Sequence, residues 1–311
     1  MGQVGNARSA RPVNDRQETL DASVLTKVQA ACNYVNAEIT RLRNQTLAIG
    51  LVSVVGALVL WIFAGAGDAR VPLVLAAGAS VLAFVRARTE LASSYSRVAA
   101  KRIVAGLGRQ LAYNPKSSLT RQHFAALDLF AERCERWSSR NEIAGRVRAV
   151  RYGLHRVQAA PKDRKAPFFD GIVIRIDFEE SVPGHTVILP DRLGHTADIA
   201  NSGTAARRKK KDLVMVKHPA FEKQFDTYST DYYEARQLVT PKFMELVLDA
   251  ATRLKTELRL CFLGRSLFIT ARAEALPFEA TLFAARLTPH HAVGSLADLV
   301  KLAERLATLR A

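Results

Sequence analysis

The sequence predicts an α+β fold: an N-terminal helix and a two-span transmembrane helical hairpin, followed by a mixed α+β cytoplasmic domain. Three observations carry this. Asn44–Gly67 is a run of 24 residues without a charge, and a second uncharged run of 15, Val71–Val85, follows four residues later. From about residue 169 the chain becomes rich in β-branched residues, punctuated by turn pairs. Strands and helices there mix without regular βαβ alternation, which favours α+β over a doubly wound sheet.

The first 19 residues are polar and read as a disordered tail. From Leu20 the apolar positions Leu20, Val24, Val28, Ala31, Val35, Ile39 and Leu42 are spaced by threes and fours. That is one face of an amphipathic helix running into the first apolar run. At about 1.5 Å per residue, Asn44–Gly67 exceeds the roughly 20 residues that cross a bilayer. Trp61 and Phe63 suit an interfacial anchor near its far end. Val71–Val85 is marginal by length, and its competing reading is a buried soluble helix or a re-entrant piece. Pro72 fits the first turn of a new helix. Small residues in both runs (Gly50, Ser53, Gly56 and Ala57; Ala76, Gly78, Ala79 and Ala83) would let two antiparallel spans approach closely. A signal peptide is not expected, because the run starts some 44 residues in and a second follows at once.

Orientation follows from the flanks. Arg41 and Arg43 precede the first span, and Arg86, Arg88, Arg97, Lys101 and Arg102 follow the second, whereas the turn offers one Asp68 and one Arg70. The positive-inside rule then places both termini in the cytoplasm, with a multi-pass topology.

Four regions result: a tail and amphipathic helix at 1–43, a hairpin at 44–88 (spans 44–67 and 71–85), a basic and mostly helical stalk at 89–160, and the α+β domain at 161–311. The stalk helix has Leu91, Tyr95, Val98, Val104, Leu107 and Leu111 at helical spacing, and ends at Tyr113-Asn114-Pro115. It would either pair with the helix before the first span or pack separately on the domain. Residues 119–137 read as a further helix with Phe124, Leu127, Leu129 and Phe130 as core. Arg146–Val157 alternates basic and apolar residues, as a half-buried strand does.

In the domain, Phe169–Phe178 and His185–Leu189 read as two strands of a hairpin around Pro183-Gly184. Leu213–Lys217 reads as a short strand and Pro219–Phe225 as a helical turn. Thr240 and Pro241 are an N-cap and a first helical residue, opening a helix with Phe243, Met244, Val247, Leu248, Ala251 and Leu254 on one face. Glu257–Leu263 and Ser266–Ala271 read as a second hairpin about Gly264-Arg265, and Leu296–Leu309 as a closing helix.

Several motifs together carry a resemblance. They are LAYNP (Leu111–Pro115), FFDGIVIRIDF (Phe168–Phe178), TVILPD (Thr186–Asp191) and, above all, HPAFEKQFDTYSTDYYEARQLVTPKFMELV (His218–Val247). Over about Lys101 to Leu306 the chain resembles a bacterial domain-of-unknown-function family. What the resemblance implies is a two-span hairpin near the N-terminus with a cytoplasmic domain behind it, and no assigned activity. Thr227 stands where that family usually has Val, Gln237 where it has an aromatic residue, and its later element is matched imperfectly by Leu276-Pro277-Phe278-Glu279.

Composition narrows the function. The chain of 311 residues has 45 Lys+Arg against 29 Asp+Glu, a formal charge of +16, with 49% hydrophobic and 24% charged residues. That excludes a disordered or collagenous chain. The excess is concentrated early: residues 1–160 hold 22 basic and 10 acidic side chains, residues 161–311 hold 23 and 19. Cys32, Cys134 and Cys261 lack metal or redox spacing, which excludes a disulfide framework or zinc module. No Walker A or GxSxG sequence occurs, Gly106-x-Gly108 lacks a third glycine, and the seven histidines have no HxxxH or HxE spacing. No catalytic residue, metal or cofactor is therefore expected.

The charged cluster Asp231, Glu234 and Arg236 is the candidate binding site, against a structural reading in which Asp231 caps a helix and Arg236 is buried and paired. Anionic lipid is the expected contact of Arg86, Arg88, Lys101, Arg102 and the run Arg207, Arg208, Lys209, Lys210 and Lys211, each worth about 1 kcal/mol near a charged leaflet. Nucleic acid ranks below lipid, since the run lacks interleaved aromatics. The expected function is a membrane-anchored binding or scaffolding protein, contacting membrane lipids and an unidentified protein partner, and able to self-associate through the helices flanking the hairpin. Its rival is a membrane-tethered enzyme acting on a lipid or nucleotide through Asp231, Glu234 and Arg236.

Overall fold

The computed structural model describes residues 22–63, 70–94, 100–106, 111–164, 166–191, 212–272 and 289–309. Helix α1 (Ala22–Phe63) runs unbroken for 42 residues, and α2 (Arg70–Ser94) packs along it. Next come α3 (Ala100–Gly106), β1 (Ala112–Lys116), α4 (Arg121–Ala126), β2 (Arg136–Val147), β3 (Val150–Ala160) and β4 (Phe169–Pro190). After these follow β5 (Asp212–Leu213), α5 (Pro219–Glu222), β6 (Phe225–Ser229), α6 (Tyr232–Leu238), α7 (Pro241–Leu254), β7 (Leu258–Arg272) and α8 (Pro289–Ala307).

The seven strands form one antiparallel sheet in the order β1-β2-β3-β4-β6-β5, with β7 added to β4. Strand β4 is its spine. β7 follows one edge of β4 from Gly171↔Arg272 to Ile188↔Leu260. The other edge is shared, first by β3 (Arg151↔Asp177 to Ala159↔Phe169) and then by β6 (Thr186↔Ser229 to Pro190↔Phe225).

This topology corrects both expected hairpins. Phe169–Pro190 and Leu258–Arg272 are each one strand, and each half of β4 finds its partner in β7 rather than in its own other half. Pro183-Gly184 and Gly264-Arg265 mark coincident bends, where Val182 pairs with Gly264 across a break in register. Gly184 (φ 74°) and Gly264 (φ 62°) each supply one left-handed residue. One such residue per strand makes a bulge that coils the pair, not a reversal.

The expected helical stalk at 89–160 is corrected as well. Among the described residues before Leu111, α3 and the end of α2 are helical, whereas residues 112–160 contribute three strands to the same sheet. The expected helix at 119–137 shortens to α4, which Thr120 caps by accepting from the His123 N–H at 3.2 Å. Its core candidates hold: Phe124, Leu127, Leu129 and Phe130 are all buried. Strand β5 is only two residues long, shorter than the expected Leu213–Lys217, although the Val214 N–H still donates to Thr227 O at 2.8 Å. Helix α7 forms as expected, with the Phe243 N–H donating to Thr240 Oγ1 at 3.3 Å.

Both faces of the sheet are covered. On one, Leu154, Ile172, Ile174 and Ile269 pack with Phe243 and Val247 of α7 and Leu299, Ala303 and Leu306 of α8. The same cluster takes in Val28, Ala31, Val35, Ile39 and Leu42 of α1 and Ala100, Ile103 and Val104 of α3. The apolar stripe of the first half of α1 is thus covered by α3 and α8. On the other face, α4 and the loop after it place Phe124, Leu127 and Phe130 over Val157, Phe169 and Val173. Phe130 stacks 5.4 Å from Phe124, and the Arg259 guanidinium lies 4.7 Å over its ring.

Thr227 of β6 is 2% exposed, and its Oγ1 has no hydrogen-bond partner among the described residues. Valine has the same shape without the hydroxyl. Thr227→Val should therefore stabilise the domain by about 1 kcal/mol, raising its thermal midpoint by about 2–4 °C in a melting curve. A fall in the midpoint would show that the hydroxyl is satisfied.

Candidate functional site

The outer half of α1 and the described middle of α2 present apolar side chains to the surroundings. Leu51, Val52, Val54, Leu58 and Ile62 of α1 and Val74, Val81 and Leu82 of α2 are each more than half exposed. A continuous apolar band of this size marks an interaction or membrane surface. Among the described residues, α1 is the one helix long and apolar enough to cross a membrane: Val28–Val59 contains a window of mean hydropathy 1.5 of which 6% is buried. The apolar stretch of α2, Ala77–Ala87, is shorter. The two helices meet at Gly50, whose Cβ position lies 3.9 Å from Ser80 Oγ, whereas Gly56 and Gly78 have no described neighbour within 4 Å. Of these three glycines Gly50 makes a close approach, and its neighbour Ser80 is not one of the small residues expected on the second run.

Asp231, Glu234 and Arg236 lie on or at the start of α6. Asp231 Oδ1 accepts the Glu234 N–H at 3.0 Å, the expected helix cap, and the Asp231 N–H donates to Ser229 Oγ at 3.0 Å. Glu234 is half-buried. Arg236 corrects the expectation of a buried ion pair: it is exposed, it lies 5.9 Å over the Tyr232 ring, and no described carboxylate pairs with it. The helix turns this side chain outward because Ala235 and Leu238 take the buried face. His218 caps α5, accepting the Phe221 N–H on Nδ1 at 3.2 Å. Of the residues expected to contact lipid, Arg86 and Lys101 are exposed. The side chains of Arg88 and Arg102 lie outside the described residues, as do Arg207–Lys211, His195, Leu276–Glu279 and the tail 1–19.

A cleft of about 360 Å³ opens at α4 and the loop after it, lined by Arg121, Phe124, Phe130, Arg133, Cys134 and Phe168. Burial pushes the Cys134 thiol up, and Arg121 partly opposes it. This cleft does not touch the Asp231 cluster.

Sequence reasoning missed a buried polar network centred on His155, which is 1% exposed. Ser117 Oγ accepts from the Leu119 N–H at 3.2 Å and from Ser139 Oγ at 2.7 Å. Its own proton is thereby directed to His155 Nδ1, 2.9 Å away. That assigns the ring proton to Nε2, which lies over Gly153, 2.9 Å from the position a Cβ would take there. Glu142 accepts from the Ser118 N–H at 2.9 Å and from Ser118 Oγ at 3.1 Å, tying the same connector to the sheet. A serine beside a histidine suggests a nucleophile and its base. The gap beside His155 is about 10 Å³, however, room for no more than one water. The network's evident work is to fix the β1–α4 connector on the sheet. No local motif could have shown it, since Ser117 and His155 are 38 residues apart.

Burial holds the His155 imidazole down from 6.5 to about 4; Glu142 pulls it up, Arg175 pushes it further down, and Asp177 pulls it up. A base whose folded pKa is depressed stabilises the fold above its unfolded pKa and loses that contribution as pH falls toward the folded value. Stability should be full above pH 6.5 and decline by about 3 kcal/mol as pH falls through 6.5 toward 4. Urea unfolding followed by Trp137, whose ring lies 5.0 Å from Phe124, reads this. His155→Gln should flatten the dependence, and an unchanged slope in that variant would assign it to other groups.

Three comparisons bear on identity. A search of curated proteins finds no match. Among solved structures, the crystal structure of the mycobacterial trehalose monomycolate transport factor A, TtfA, is similar with 10% sequence identity and a TM-score of 0.37, covering 70% of this chain and 94% of that one. Residues 101–167, over which the family resemblance was also read, lie outside the segment that a family model matches. Residues 168–308 match a family model described as "Protein of unknown function (DUF3137)", which supports the resemblance to a domain-of-unknown-function family.

Proposed function

We propose that the chain is a membrane-anchored binding protein that displays the sheet domain on the cytoplasmic side of a bacterial inner membrane. One observation carries the reading. α1 is a single helix whose stripe from Val28 to Leu42 is buried in the domain core while its large apolar side chains described between Leu47 and Ile62 are exposed. A large aliphatic side chain left in water forgoes about 1.5–3 kcal/mol of burial, so a helix this apolar belongs in lipid. Because no break separates the halves, the domain is held rigidly at the bilayer surface rather than on a flexible linker.

In this proposal α2 returns through the bilayer as a second span, and both termini are cytoplasmic. The flanking positive charges support this orientation. Arg86 and Lys101 then reach anionic headgroups, joined by Arg88, Arg102 and the run Arg207–Lys211. Self-association would use the lipid-facing halves, where Gly56 and Gly78 leave open space, because the stripe Val28–Leu42 is already covered. An enzyme acting through Asp231, Glu234 and Arg236 finds no support, with Asp231 used as a cap and Arg236 in solvent.

Single cysteines in intact spheroplasts, with the three native cysteines replaced, test the topology. Ala69→Cys should react with a membrane-impermeant maleimide from outside, and Thr252→Cys on the domain should react only after lysis. Protection of Ala69→Cys, or outside labelling of Thr252→Cys, would overturn the proposed arrangement.

A further inference from the structure

Between Arg136 and Arg156 the chain has six arginines, no lysine and one carboxylate, Glu142. Part of this set is used by the fold. Arg136 donates to the carbonyls of Pro161 and Arg164. Arg156 is buried, pairs with Asp170 and donates to Gly171 O at 3.2 Å. Arg146, Arg148 and Arg151 differ: all three are exposed at the closed end of the β2–β3 hairpin, and none pairs with a described carboxylate.

The register makes the arrangement specific. Arg146 and Arg151 are direct cross-strand partners. Their side chains therefore leave the same face of the sheet from Cβ atoms about 4.5–5.5 Å apart, where like charges destabilise a strand pair. Asp177 is the register partner of Arg151 on its other side. Its Oδ1 is already engaged, by Arg175 Nε at 2.7 Å and Ser266 Oγ at 2.6 Å. The turn closing Val147↔Val150 puts Arg148 at φ 52°, a conformation that Gly or Asn adopts more readily. Three uncompensated guanidiniums thus converge on one tip, one of them in a backbone conformation that arginine disfavours.

We propose that this tip is a phosphate-binding clamp, with Arg146 and Arg151 as its two jaws and Arg148 closing its end. Each guanidinium presents a planar fork of N–H donors that matches two oxygens. One fork satisfies a carboxylate, whereas two opposed forks suit the three terminal oxygens and higher charge of a phosphate. The absence of lysine fits this geometry, because an ammonium offers a point charge without the fork. The ligand is a phosphate group, carried either by a lipid headgroup or by a soluble compound. The site is separate from the charges proposed for leaflet contact and does not depend on the membrane reading.

The test is calorimetric titration of inorganic pyrophosphate into the full chain in phosphatidylcholine nanodiscs. Wild type should bind saturably at one site. Arg146→Gln and Arg151→Gln should each weaken binding by about tenfold or more, as loss of a charge-assisted contact does. Arg253→Gln, which removes an exposed arginine from α7, should change nothing. Arg146→Lys separates fork from charge: the clamp requires it to bind nearly as poorly as the Gln variant. Repeating the titration in discs containing phosphatidylglycerol assigns the source, since competition identifies a headgroup and unchanged binding a soluble phosphate compound. Thermal midpoints without ligand should be unchanged or higher in the Gln variants, which removes misfolding as an explanation. No binding by wild type, equal binding by the Gln variants, full binding by Arg146→Lys, or binding of a single-stranded oligonucleotide in place of pyrophosphate would each overturn the clamp.

Discussion

The burial of one face of α1 against α3 and α8 is the interaction on which the rest of the architecture depends. Val28, Ala31, Val35, Ile39 and Leu42 share a continuous apolar cluster with the sheet, and the same helix continues without a break into its exposed apolar half. Five covered side chains at helical spacing fix both the direction of the helix and the distance of the sheet from its outer end. A flexible joint there would let the domain tumble; the packed stripe prevents it. The sheet in turn is held by β4, whose two edges carry three other strands.

What could be read in advance follows from the range of the physics involved. The stripe of α1 and the cap at Thr240 were legible because each depends on neighbours within one or two turns. Pro183-Gly184 and Gly264-Arg265 misled for the same reason. Taken locally, each looks like a chain reversal, and only the pairing of Val182 with Gly264 shows that the two bends face each other in strands that carry on. Between residues 112 and 160 the alternation over Arg146–Val157 signalled a strand, but β1 was hidden by Tyr113-Asn114-Pro115, which reads as a helix end, and most of β2 by its polar sequence, until the sheet supplies partners.

The candidate sites divide along the same line. Asp231 was legible as a cap because the three-residue spacing to Glu234 is local. Arg236 was not, because which helix face turns inward is set by Ala235 and Leu238 meeting the sheet. His155 and Ser117 meet only through the fold, and the opposition of Arg146 to Arg151 appears only once the β2–β3 register is known. Alternation of basic and apolar residues in that stretch signalled a strand. It gave no sign of an anion-binding tip.

The central claim, that one continuous helix is domain core at one end and lipid-facing at the other, is tested most directly by spin labels placed singly along α1 from Val28 to Ile62 in nanodiscs. Collision rates with oxygen and with a water-soluble nickel complex are then compared at each position. The account predicts high oxygen and low nickel access from Leu47 to Ile62, and access to neither at Val28, Val35 and Leu42. High nickel access between Leu51 and Leu58 would place that half in water and contradict the account.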